Sequence, residues 1–120
     1  MSNDQCDLAA KQCVPCQGGV PALQGEELER LHAQLDGEWR VVDGHHLECE
    51  YRFDDFKSAL DLTVRIGELA EREGHHPDLG LGWGYVRVSI FTHKVDGLTE
   101  SDFILAAKIE ALSQAGARAS

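Results

Sequence analysis

Two adjacent histidines, His75 and His76, sit between Gly74 and Pro77, in the stretch from Glu71 to Asp78. Proline fixes its own backbone angle and pushes the residue before it towards an extended conformation, so the pair belongs to a stiff loop. Imidazole is the side chain whose unperturbed pKa, about 6.5, lets it give or take a proton near neutrality. With Glu71, His93 and Asp102 the pair makes a spaced set of proton-handling groups. Three uses fit such a set: acid–base work, a three-histidine zinc site, or structural histidines. Zinc takes neutral imidazoles in tetrahedral geometry, but adjacent histidines aim two rings at one centre awkwardly, and acid–base work is the better reading. Asp102 also fits the third helical position of a capping box, and Glu71 fits an exposed helix face.

Cys13 and Cys16 have the C-x-x-C spacing that lets two thiolates share a metal or pair with each other. With Cys6 they offer a weak structural metal site, for which Cys49, His45 or His46 would have to supply a further ligand. Inert, reduced thiols are the expectation. Met1 to Gln5 show neither the basic start nor the apolar stretch of a signal peptide, which points to the cytoplasm.

The elements that must position these groups follow from periodicity. From Gly25, Leu28, Leu31 and Leu35 form one helical stripe that Gly37 ends, with His32 on the surface. Trp39 to Val42 starts a strand, and Asp43-Gly44 is a hairpin turn signal. Leu47, Cys49, Tyr51 and Phe53 alternate with Glu48, Glu50 and Arg52, as in a sheet covered on one face. That alternation makes Cys49 a small buried hydrophobe, and it leaves His45 and His46 solvated in the turn. Asp54 or Asp55 caps a helix over 55–73, where Ala59, Leu62, Ile66 and Leu69 recur at helical spacing, and Gly74 stops it. A short edge strand fits Asp78 to Leu81. Tyr85 to Thr92 reads as a strand with Val86, Val88 and Ile90 inward, which starts His93 from the uncovered face. Lys94 to Gly97 turns the chain, and Thr99 to Asp102 forms a capping box before a helix carrying Leu105, Ile109 and Leu112.

The order is helix, two strands, helix, two strands, helix: an α+β domain with helices on one face of an antiparallel sheet. At 120 residues the chain holds one such domain with a real core. Residues 1–24 read as a cysteine-containing extension, 25–113 as the domain, and 114–120 as a frayed tail. A net charge of −10 without a basic cluster argues against a nucleic-acid partner, and no apolar run approaches a membrane span.

The whole set resembles the signature of the pterin-4a-carbinolamine dehydratases, also called 4a-hydroxytetrahydrobiopterin dehydratases. The residues that carry it are Glu71, His75-His76-Pro77, Trp83, His93 and Asp102, with Trp39-Arg40-Val41 and the run from Thr92 to Thr99. The resemblance spans roughly Leu23 to Leu112, and the leader from Cys13 to Pro21 resembles an extension on some bacterial and plant members. It implies three helices on a four-stranded antiparallel sheet. It also implies loss of water from a 4a-hydroxytetrahydropterin to give quinonoid dihydropterin, without metal or organic cofactor. By the same resemblance, His75 and His93 transfer protons and His76 orients the pterin. Pro77 and the backbone of Thr92, His93, Lys94 and Val95 line the pocket, and Glu71 and Asp102 hold imidazoles or bond the pterin. Trp39 resembles an aromatic residue near the site, though core packing explains it as well. Members form dimers or tetramers. Two departures from animal members stand out: Gly74 replaces an acidic residue before the histidine pair, and Leu79 replaces an aromatic one after the proline. The resemblance leaves two further readings: a non-catalytic interaction module, and a dehydratase-like protein of molybdopterin metabolism.

Overall fold

The structure, a computed structural model, describes residues 8–10 and 22–119. After one 3₁₀ turn (Leu8–Ala10) the elements run α1 (Gly25–Ala33), β1 (Arg40–Val42), β2 (His46–Arg52), α2 (Phe56–Glu73), β3 (Asp78–Gly82), β4 (Tyr85–Ile90) and α3 (Glu100–Ala119). The four strands form one antiparallel sheet in the order β1-β2-β4-β3. This is the α+β arrangement the periodicity predicts.

Alternation in the strands fixes which face is covered. Leu47 and Cys49 of β2 and Val86, Val88 and Ile90 of β4 point into the core, where they meet Ala59, Leu62, Ile66 and Leu69 of α2 and Phe103, Leu105 and Ile109 of α3. The opposite face carries Glu50, which reaches Arg52 and Arg87. Cys49 is buried in this core, and burial pushes its thiol pKa up, as expected of a small packed hydrophobe. Leu8 also enters the core, 2% exposed, beside α3. Cys6, Cys13 and Cys16 lie outside the described residues. No described helix is long and apolar enough to cross a membrane.

Local chemistry sets the element ends. The side chain of Asp55 accepts the Ser58 N–H at 2.8 Å and caps α2. Gly74 closes the same helix in the left-handed conformation (φ 67°), its N–H on the Ala70 carbonyl. Asp43 and Gly44 both adopt positive φ (56° and 64°), the pattern of a tight two-residue hairpin turn.

Three expectations need correction. Helix α1 ends at Ala33 rather than at Gly37, because Gln34 and Leu35 turn back their N–H groups onto Leu31 and His32. His32 is half-buried rather than superficial: its Nε2–H donates to the Trp39 carbonyl at 2.7 Å. His45 and His46 are not simply solvated. They bond each other and reach Asp96 and Glu48.

Candidate active site

Asp102 is the centre of the site. It occupies the third position of α3, where its Oδ2 accepts the Thr99 N–H at 2.7 Å, while the Asp102 N–H bonds the Thr99 carbonyl at 3.0 Å. That is the capping function its position predicts. The carboxylate is fully buried, and a buried charge is tolerated only when its oxygens are well supplied with donors. Oδ2 takes a second bond from the Thr92 hydroxyl at 2.8 Å, and Thr92 Oγ1 lies 2.9 Å from the Thr99 hydroxyl. Thr92 spends its one proton on Asp102, so the Thr99 hydroxyl donates to Thr92.

The other oxygen, Oδ1, faces His75 Nε2 at 2.6 Å across 27 positions of sequence. An ionised carboxylate only accepts, so Nε2 carries the proton and Nδ1 of a neutral His75 carries the lone pair. The ring is 17% exposed. His75 is launched by the end of α2: its own N–H bonds the Ala70 carbonyl at 3.3 Å, beside that of Gly74.

His76 has a separate carboxylate. Its Nε2 lies 2.6 Å from Glu71 Oε2, and both side chains are exposed, at 59% and 78%. The left-handed Gly74 breaks the i, i+4 geometry, so Glu71 reaches His76 and not His75. Pro77 is half-buried between this pair and the start of β3.

His93 follows Thr92 directly, in a turn closed by bonds between Thr92 and Gly97 in both directions. The Val95 N–H returns to the Thr92 carbonyl and the Asp96 N–H to the His93 carbonyl, so Lys94 and Val95 form the turn's outer arc. The His93 ring is exposed and lies against Phe91, with centroids 4.2 Å apart. One buried carboxylate therefore ties His75 to the residue next to His93.

The structure brings His75, Asp102, Thr92 and, through the backbone, His93 into one connected unit, with Glu71 and His76 at its border. It does not bring Trp39 there. Trp39 is buried edge-on to Tyr51, and its Nε1–H donates to Glu110 at 3.2 Å. Glu110 also accepts the Tyr51 hydroxyl at 2.6 Å. It stands eight residues beyond Asp102, about 12 Å along the helix. Burial, and then the bond to Glu110, push the Tyr51 pKa far up, so the phenol stays a donor. Trp83 is 71% exposed at the β3–β4 turn. The Thr92 and Thr99 hydroxyls were not singled out from the sequence. The capping box placed Thr99, and the alternation that turns Val86, Val88 and Ile90 inward extends to Thr92, but only the fold shows that the Thr92 hydroxyl meets Asp102. Among the described residues no three His, Cys, Asp or Glu side chains are grouped so as to hold a metal ion.

A connected histidine–carboxylate unit on this sheet and helix arrangement is a frame for moving protons. Residues 21–112 match the family model described as pterin 4 alpha carbinolamine dehydratase. The chain belongs to that family. Its relatives include a protein of Rubrobacter xylanophilus, 60% identical over 88% of this chain and 98% of that one, and another of Alkaliphilus metalliredigens, 54% identical over 87% and 94%. Both carry the name "Putative pterin-4-alpha-carbinolamine dehydratase". Among solved structures, a transcriptional coactivator/pterin dehydratase from Brucella melitensis superposes with a TM-score of 0.70 at 32% identity, covering 76% of this chain and 97% of that one. A pterin dehydratase-like protein described as a RuBisCO assembly factor shares the fold at a TM-score of 0.57 and 21% identity, over 65% and 92% of the two chains.

Proposed function

We propose that this chain is a hydro-lyase that removes water from 4a-hydroxytetrahydrobiopterin to give quinonoid dihydropterin, a step in recycling a tetrahydropterin cofactor. The observation that carries the reading is the 2.6 Å contact between His75 and the buried Asp102, itself bonded to Thr92 beside His93. Elimination requires a base for the N5 proton and an acid for the departing C4a hydroxyl. Imidazoles serve both ends near neutral pH. Holding the Nε2 proton of His75 on Asp102 leaves Nδ1 as the accepting atom when the ring is neutral and as the donating one when it is charged. His93 handles the proton at the other centre. His76, with Nε2–H on Glu71, presents its Nδ1 lone pair to orient the pterin. Pro77 and the backbone of Thr92, Lys94 and Val95 line the same pocket, and Trp39 braces α3 outside it. The reaction needs neither metal nor organic cofactor.

Self-association is part of the proposal. Phe56, Leu60 and Val64, spaced by four on α2, leave an apolar stripe 37–50% exposed, and such a stripe favours a homodimer or homotetramer. Light scattering gives the mass. A cytoplasmic setting suits the pterin substrate.

Alanine substitution tests the roles. His75→Ala and His93→Ala should each lower turnover by a factor on the order of 100, the usual contribution of a general acid or base. Wild-type turnover in either variant would remove that residue from the chemistry. An interaction module would bind its partner equally well with both histidines replaced.

A further inference from the structure

The ladder between β2 and β4 ends at Leu47 opposite Ile90. The same register, carried two residues further, sets His45 of the β1–β2 turn against Thr92 and His46 against Phe91. Four rings then run in contact: His46 and His45 edge to face at 5.3 Å, His45 and Phe91 at 4.5 Å, Phe91 and His93 at 4.2 Å. His45 grips the far side of the His93 turn as well, with Nε2 2.8 Å from Asp96 Oδ1. Asp96 holds a left-handed backbone conformation (φ 53°), and its N–H closes the turn on the His93 carbonyl. Left-handed geometry is unfavourable for side-chain residues, though Asp and Asn tolerate it best, so the turn gains from an outside anchor.

We infer that His45 is a positioning residue for His93, holding its turn through Phe91 on one side and Asp96 on the other. The inference rests on the proton-transfer role proposed for His93. No proton passes along this route, because Phe91 interrupts it.

The hydrogen-bond pattern sets the protons. The Asp96 carboxylate requires Nε2–H on His45, so a neutral His45 accepts at Nδ1. His46 Nδ1, 3.1 Å away, must then donate. Glu48, whose Oε1 pairs with Arg40, sets Oε2 3.3 Å from His46 Nε2 and calls for a second N–H on His46. Three protons on four nitrogens complete the set. A fourth would oppose two N–H groups at the 3.1 Å contact, and two would leave either one carboxylate or that contact without a proton.

The test compares kcat and KM for an enzymatically generated 4a-hydroxytetrahydropterin in the full chain. His45→Ala should lower kcat about tenfold with little change in KM, a fraction of the ~100-fold loss that a 1 Å displacement of a reacting group produces. His45→Phe keeps the ring contact and loses Asp96, and should fall between. Asp96→Asn keeps an acceptor and the left-handed turn, and should retain most activity. In a His93→Ala background, His45→Ala should cost nothing further. Equal losses in the two backgrounds, or wild-type kcat in His45→Ala, would overturn the inference. If His93→Ala alone is silent, the fault lies in the role given to His93. The coupling is then judged by the ¹⁵N shifts of the His93 ring: a change in His45→Ala upholds it, and unchanged shifts refute it.

Discussion

Replacing Asp102 by asparagine separates the two halves of its carboxylate. Oδ2 accepts the Thr99 N–H and the Thr92 hydroxyl, so the one carbonyl oxygen left in the substituted side chain must stay on that side. The new amide nitrogen is thereby placed where Oδ1 stood, 2.6 Å from His75 Nε2. Two donors would meet unless His75 moves its proton to Nδ1, the atom proposed to accept from the pterin. A hydrogen bond to a charged group contributes about 1.5–3 kcal/mol, which at about 1.4 kcal/mol per tenfold is a rate loss of about 10- to 150-fold. The wrong tautomer adds to this, so kcat should fall by about 100-fold or more. Stability should suffer less, by about 1–2 kcal/mol, because the cap and the Thr92 bond survive. The assay pairs stopped-flow dehydration with a thermal melt and ¹⁵N spectra of His75. A folded Asp102→Asn protein with wild-type kcat would refute the reasoning, as would an unaltered His75 tautomer.

Three further outcomes follow from the same contacts. Tyr51→Phe removes the 2.6 Å bond to Glu110 and should destabilise the fold by about 1.5–3 kcal/mol while leaving kcat within about twofold, read by urea unfolding beside the dehydration assay. Ile66→Ala, in the fully buried core of α2, should cost about 2–5 kcal/mol by the same unfolding measurement. Asp55 has its pKa lowered from its ordinary 3.8 by the Ser58 N–H bond, so its cap is fully present above that value and is lost as pH falls through the lower folded value. Asp55→Ala should therefore lower the melting temperature at pH 7, with the gap to wild type closing below about pH 4.

Local chemistry made much of the frame legible. The Asp43-Gly44 turn, the alternation through β2 and β4, the Asp55 cap and the Gly74 stop each act within a few residues, so sequence spacing reveals them. The capping box found one side of Asp102, its bond to Thr99. The other side, towards His75, joins the end of α2 to the start of α3, and only the resemblance to a family pointed there. Glu71 shows the limit of spacing: it stands one helical turn before His75, yet the left-handed Gly74 turns the chain so that His76 is its partner. His45 escapes sequence spacing for a related reason. Its contacts depend on β2 lying beside β4, a pairing that no local signal encodes. Trp39 and Glu110 meet across 71 positions and were equally hidden.

The most direct measurement is dehydration of a 4a-hydroxytetrahydropterin, generated in situ by a hydroxylase, with and without the chelator-treated protein. Acceleration that survives the chelator is the expected result, and it would support metal-free acid–base catalysis by His75 and His93. No acceleration would contradict the dehydratase assignment, and activity that vanishes with the metal would contradict metal-free acid–base catalysis.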